Sequence, residues 1–233
     1  MNILVIDTAS PLEIIAASRG DAAVETSIAV NTSHSVTILD TIDRCLAGLG
    51  LAAGDINCLG VGVGPGSFTG IRIAVSTARM MAQVLGIPLV GIPTHLLYAA
   101  SVDGETGENV MVAFDAKKGR VFGALYRKSG SPLAPREIIP PGDYGIERLL
   151  GGVDISRKTR LIGNGTEKYR EALLTLERGV FEKNFVPSGE TMCRLVNEAY
   201  RADPSRFKDY NRVVPCYARK SDAEVAKELR EKM

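Results

Sequence analysis

The chain has 233 residues, 45% hydrophobic and 24% charged, an ordinary composition for a globular protein with a sizeable core in one large domain or two smaller ones. Its 28 basic and 27 acidic residues leave a formal charge of +1. That balance excludes a global field able to hold a polyanion, so any nucleic-acid contact must be local or belong to a partner.

In chain order, residues 3–6 (ILVI), 12–17 (LEIIAA) and 23–30 (AVETSIAV) read as three short strands, parted by turn-prone segments at Ser10-Pro11 and Arg19-Gly20-Asp21. Connections this short predict antiparallel neighbours. A helical pattern follows over 34–49, then a buried strand at 56–63 (INCLGVGV), a long helix from about 67 to 85, a strand at 88–92 and a short helix starting at Pro93.

After the polar stretch from Asp103 to Glu108 the same order begins again, with strands at 109–115, 120–126 and 133–139. Helix 143–150, strand 159–163 and helices 164–176 and 190–202 complete it. The expectation is an α/β protein of two lobes, each a mixed sheet flanked by helices. Residues 1–104 form the first lobe and 105–205 a more divergent second one. The closing segment 206–233, with Pro215 and an amphipathic helix from Ser221, is expected to turn back on the first lobe.

In each half the first strand ends in an aspartate, Asp7 in VIDTAS and Asp115 in AFDAKKG. A carboxylate there can position a metal-bound water while the next turn, with Thr8 in the first half, offers N–H groups to phosphate. Equally, an aspartate can simply start a turn by bonding backbone two residues on. At 60–72, GVGVGPGSFTGIR carries a strand through Gly64-Pro65-Gly66 into a helix that Ser67 or Thr69 can cap. Such a helix start can hold an anion, but neither the Walker A lysine nor a Rossmann fingerprint is present. A tight turn with no ligand fits as well.

Along that helix Phe68, Ile71, Ala74, Val75, Ala78, Met81, Ala82 and Leu85 share one face, and Arg72, Ser76, Arg79 and Gln83 form a polar stripe. Ile73, Met80 and Val84 make a second apolar strip flanked by Gly70 and Thr77. A second strip needs cover from the same chain or from another protein. With Leu39, Ile42 and Cys45 of the neighbouring helix it is assigned here as a partner-binding surface.

Cys45, Cys58, Cys193 and Cys216 are too widely spaced for a CxxC redox or zinc pair. MNILVIDTAS has no basic leader region and is interrupted by Asp7, so neither a signal peptide nor a membrane span is expected, and the cytoplasm fits. The two histidines, His34 and His95, lie far apart and read as capping or surface residues rather than metal ligands. GPGSFTG does not match the serine-hydrolase elbow GxSxG.

These segments together resemble the TsaB (also called YeaZ) family, accessory subunits in bacterial synthesis of threonylcarbamoyladenosine on tRNA. The resemblance covers nearly the whole chain through ILVIDTAS at 3–10, HSVTILDTIDRCL at 34–46, GVGVGPGSFTGIRIAVSTA at 60–78, GIPLVGIPT at 86–94, FDAKKGRVF at 114–122 and PCYARKSDAE at 215–224. It implies two ribonuclease-H-like lobes of the actin-like ATPase (ASKHA) superfamily. It also implies a non-catalytic role, a heterodimer with the catalytic subunit TsaD through first-lobe helices, and a homodimer over the same surface when alone.

The small ATPase TsaE would join the complex, tRNA would be met mainly through it, and ATP and metal would belong to the partner subunits. On that reading Asp7, Thr8, Gly64, Gly66, Ser67, Thr69 and Asp115 are vestigial phosphate-type turns. The family usually has glycine at the positions of Ala74 and Met80, which implies a wider or differently registered helix contact here, and an acid near Arg120. Two other functions remain as alternatives: an autonomous actin-like ATPase or sugar-type kinase, and a glycoprotease-type metallopeptidase.

Overall fold

The computed structural model describes residues 1–20, 23–30 and 34–219. Among these residues the first half runs β1 (Ile3–Asp7), β2 (Leu12–Arg19), β3 (Ala23–Val30), α1 (His34–Gly48), β4 (Cys58–Gly62), α2 (Phe68–Leu85), β5 (Leu89–Ile92) and α3 (Thr94–Ser101). The second half runs β6 (Asn109–Asp115), β7 (Val121–Arg127), β8 (Arg136–Tyr144), α4 (Ile146–Leu150), β9 (Thr159–Ile162), α5 (Asn164–Lys168), α6 (Arg170–Leu173), β10 (Gly179–Phe181) and α7 (Gly189–Ala202). Short 3-10 turns lie at Ala53–Asp55, Pro204–Phe207 and Tyr210–Arg212, the last within the closing segment.

The first sheet has the order β3-β2-β1-β4-β5 and the second β10-β9-β6-β7-β8. In each, three consecutive strands pair antiparallel, one crossover strand pairs parallel with the central strand and a second pairs parallel with the first crossover strand, so the two halves share one topology. The alternation of ILVID divides the core. Ile3 and Val5 face α3, α7 and the second lobe, whereas Leu4 and Ile6 face α1 and α2. The resulting layers are α1 and α2, the first sheet, α3 and α7, the second sheet, then α4 to α6.

Several sequence expectations change. The helix at 189–202 follows the second lobe in sequence, yet it packs on β1, β2 and β5 of the first, so the 105–205 boundary does not hold. Gly60 in β4 makes room for it, because a Cβ there would collide with Val196. Strand β8 continues through Pro140 and Pro141 to Tyr144, since an edge strand tolerates the missing N–H groups, and α4 starts correspondingly later. The helix expected over 164–176 breaks at Tyr169 (φ −102°, ψ 28°) into α5 and α6, and the three-residue edge strand β10 was not anticipated.

Residues 210–217 touch the first lobe, and Arg219 reaches the second. Val213 joins the core under α2, Cys216 N–H donates to the Val63 carbonyl at 2.8 Å, and Arg79 donates to Asn211 at 2.8 Å. The helix expected from Ser221 lies outside the described residues, as do the side chain of His34 and residues 220–233.

Candidate functional site

The would-be phosphate turn of the first lobe is closed from within. Asp7 is fully buried; its Oδ1 accepts from Ala9 N–H at 2.8 Å and its Oδ2 from the Thr94 hydroxyl at 2.7 Å. Burial pushes its carboxyl up to about 6 despite those two bonds. The Thr8 hydroxyl donates to the Gly70 carbonyl at 2.6 Å, and the Tyr98 hydroxyl donates to Ser10 at 2.8 Å.

The glycine motif performs this closure. Ser67 N–H donates to the Ala9 carbonyl at 2.7 Å, and a Cβ at Gly66 or Gly70 would run into the carbonyls of Ala9 and Thr8. Ser67, not Thr69, caps α2, accepting from Gly70 N–H at 3.2 Å. Gly64 takes φ +89°, and a Cβ on it would press on Ile71. The N–H groups of Ala9, Gly64, Ser67 and Gly70 are therefore engaged by protein acceptors.

In the second lobe Asp115 meets Lys168 at 2.8 Å and Lys117 at 3.1 Å. Partial burial opposes its ionisation, but the Lys168 and Lys117 hydrogen bonds outweigh that and hold the carboxyl below its ordinary range. Arg120 pairs with Asp143 at 2.7 Å, and Arg219 donates to the Ala116 carbonyl at 3.1 Å across this turn. Between the lobes lies a cavity of about 370 Å³ walled by Tyr98, Phe114 and Phe185, with Asn164 and Glu167 at its edge; Asp7 does not line it.

His95 corrects the surface reading. It is fully buried in α3 with Nε2 2.9 Å from the Phe122 carbonyl, which makes Nε2 the protonated nitrogen, and Nδ1 has no partner. Burial pulls its pKa down to about 4, the Phe122 bond only partly resisting. Among the described residues no three His, Cys, Asp or Glu side chains are grouped to hold a metal, and no helix is long and apolar enough to cross a membrane.

The assigned partner surface divides. Ile42 and Cys45 are buried against the first sheet, and Gly70 is spent on the Thr8 contact, so these three seat the helices and present nothing outward. Ala74 is buried as well, which removes it from the wider helix contact expected of it. What faces solvent is Leu39 on α1 (60% exposed) and Met80 and Val84 on α2 (67% and 79%), with Ile73 and Thr77 half-buried in the same row. The polar stripe is occupied instead by the closing segment. Arg72 stacks 3.9 Å over Phe68 and donates to the Tyr217 hydroxyl at 2.8 Å.

The family model described as "TsaD: tRNA N6-adenosine threonylcarbamoyltransferase" matches residues 27–227. The Bacillus subtilis (strain 168) protein named tRNA threonylcarbamoyladenosine biosynthesis protein TsaB is 26% identical over 227 residues, 96% of each chain. The Escherichia coli (strain K12) protein of that name is 34% identical over 130 residues, about half of either chain at 55% and 56%. YeaZ from Pseudomonas aeruginosa superposes with a TM-score of 0.77 at 20% identity, covering 93% of this chain and 99% of that one.

A duplicated five-stranded sheet of this order, with helices on both faces, defines a two-lobed protein of the actin-like ATPase (ASKHA) fold. The chain belongs to the matched family, in its TsaB (YeaZ) branch.

Proposed function

We propose that the chain is a non-catalytic subunit in tRNA threonylcarbamoyladenosine biosynthesis, docking the catalytic TsaD subunit through the edge formed by α1 and α2. The complex would transfer a threonylcarbamoyl group to N6 of the adenosine beside the anticodon, in tRNAs reading codons that start with A. The observation that carries this reading is the pair Met80 and Val84. Two large apolar side chains one turn apart stand in solvent on a helix whose opposite face is fully used by its own sheet. TsaE would join the complex, and the chain alone, without TsaD, would form a homodimer over the same face.

The four free thiols fit the reducing cytoplasm as the place of action. A non-catalytic role draws support from the closed first turn and the neutralised Asp115. In a reconstituted reaction the chain alone should modify no tRNA. Met80→Asp should reduce modification by the full set of subunits while leaving the isolated chain folded. Full modification with Met80→Asp would overturn the docking assignment.

The interlobe cavity favours a second reading, an actin-like ATPase or kinase, because it lies where a ligand would meet both lobes. Calorimetric titration of the chain with magnesium and ATP distinguishes them: tight binding supports the second reading and absence of heat the first.

A further inference from the structure

We propose that the cavity between α7 and the end of β1 and β2 where Ile3 pairs with Ser18 binds a small α-amino acid whose side chain carries a hydroxyl or a carboxamide. The cavity measures about 280 Å³, and Ser18, Cys193 and Asn197 line it beside Ile3. It lies on the face of the first sheet opposite α1 and α2, so it is separate from the docking edge and does not depend on that reading.

The two elements that enclose it change character there. On β2 the residues turned toward α7 run Ile14, Ala16, Ser18, and the first two belong to the core between the sheets. On α7 the core-facing Met192, Cys193 and Val196 are followed by Asn197. Ser18 is 3% exposed, and its hydroxyl has only the Cys193 thiol beside it. Burial pushes that thiol up to about 12, so it stays protonated and is a weak partner for an oxygen. Asn197 Oδ1 is buried with no hydrogen-bond partner. Polar groups left this way in an otherwise apolar seam are matched by an occupant that both donates and accepts, as a hydroxyl or carboxamide does.

The rim supplies the counterparts of a zwitterion. Glu190, Arg194 and Glu198 follow one another at steps of four on the exposed side of α7, and all three line the cavity. None of them has an ion-pair partner. Arg194 offers a forked donor to a carboxylate, and either glutamate offers an acceptor to an ammonium group. Water would match Ser18 and Asn197 but leaves these charges unused. Ile3 and Val24 complete an apolar wall for the short aliphatic part of the ligand.

Calorimetric titration of the full chain with serine, threonine and asparagine, and with valine as a side chain of similar size without a polar end, tests the site. Saturable binding of at least one of the three, at least about tenfold tighter than valine, is expected. Arg194→Gln, at an exposed position, should weaken it about tenfold or more, while Arg201→Gln, further along the same helix and outside the cavity, should change it by less than about twofold. Asn197→Ala should bring the polar ligand to within about threefold of valine. If Asn197→Ala fails to fold by circular dichroism, Arg194→Gln and the valine comparison carry the test. Absence of saturable binding by all three amino acids would overturn the proposal, as would equal losses in Arg194→Gln and Arg201→Gln. Ethanolamine binding as tightly as serine would overturn it too, since the ligand's carboxylate would then have no part in recognition.

Discussion

Thr8 and Gly70 are locked to each other in both directions: the Thr8 hydroxyl donates to the Gly70 carbonyl at 2.6 Å, and the Thr8 carbonyl occupies the space a Cβ at position 70 would need. This contact makes the glycine motif a seat for α2. Once α2 is fixed there, its register places Ile71, Ala74, Val75 and Ala78 on the sheet and Met80 and Val84 in solvent.

Gly70→Ala should therefore destabilise the chain by about 2–3 kcal/mol, because backbone rather than a flexible side chain must move. Gly54→Ala, at a position with nothing nearby, should stay within about 0.5 kcal/mol. Urea unfolding of the two variants checks the difference. Equal stability would mean the seat is looser than its geometry.

Asp7 and His95 should give opposing pH dependences. Asp7 is raised to about 6 from an unfolded value of 3.8, so its contribution is present at low pH and is lost as pH rises through 6. His95 is lowered to about 4 from 6.5, so its contribution is present above 6.5 and is lost as pH falls toward 4. Each amounts to at most about 3 kcal/mol, and between about pH 4.5 and 6 they offset. Asp7→Asn should unmask a loss of stability on acidification across that window, and His95→Phe a gain. Parallel stability curves for the two variants would contradict the assignment.

The closing segment should be tied to α2 by the Arg72 and Tyr217 pair. Arg72→Ala and Tyr217→Ala should each cost about 1 kcal/mol, and the double variant less than the sum by about 0.5–1 kcal/mol, since they share a stack with Phe68. A double-mutant cycle by thermal unfolding reads the coupling directly, and additive costs would exclude it.

The duplicated strand order was legible because short antiparallel connections and the alternation in ILVI are local signals. The allegiance of α7 was not, since sequence order does not say to which sheet a helix returns. Its one trace is Gly60, a glycine inside a strand where Val196 comes close. His95 was misplaced although the run His95-Leu96-Leu97-Tyr98-Ala99-Ala100 is apolar around it and argued for burial. Ile42 and Cys45 do not belong to the outward surface, because the first sheet claims both side chains.

The docking account comes down to the solvent-facing row on α2. Calorimetric titration of TsaD with the wild-type chain and with Met80→Asp/Val84→Asp measures it most directly. Saturable binding is expected for the wild type and at least a hundredfold weaker binding for the variant, whose circular dichroism spectrum should match that of the wild type because both side chains stand outside the chain's own core. Undiminished binding by a folded Met80→Asp/Val84→Asp chain would contradict it.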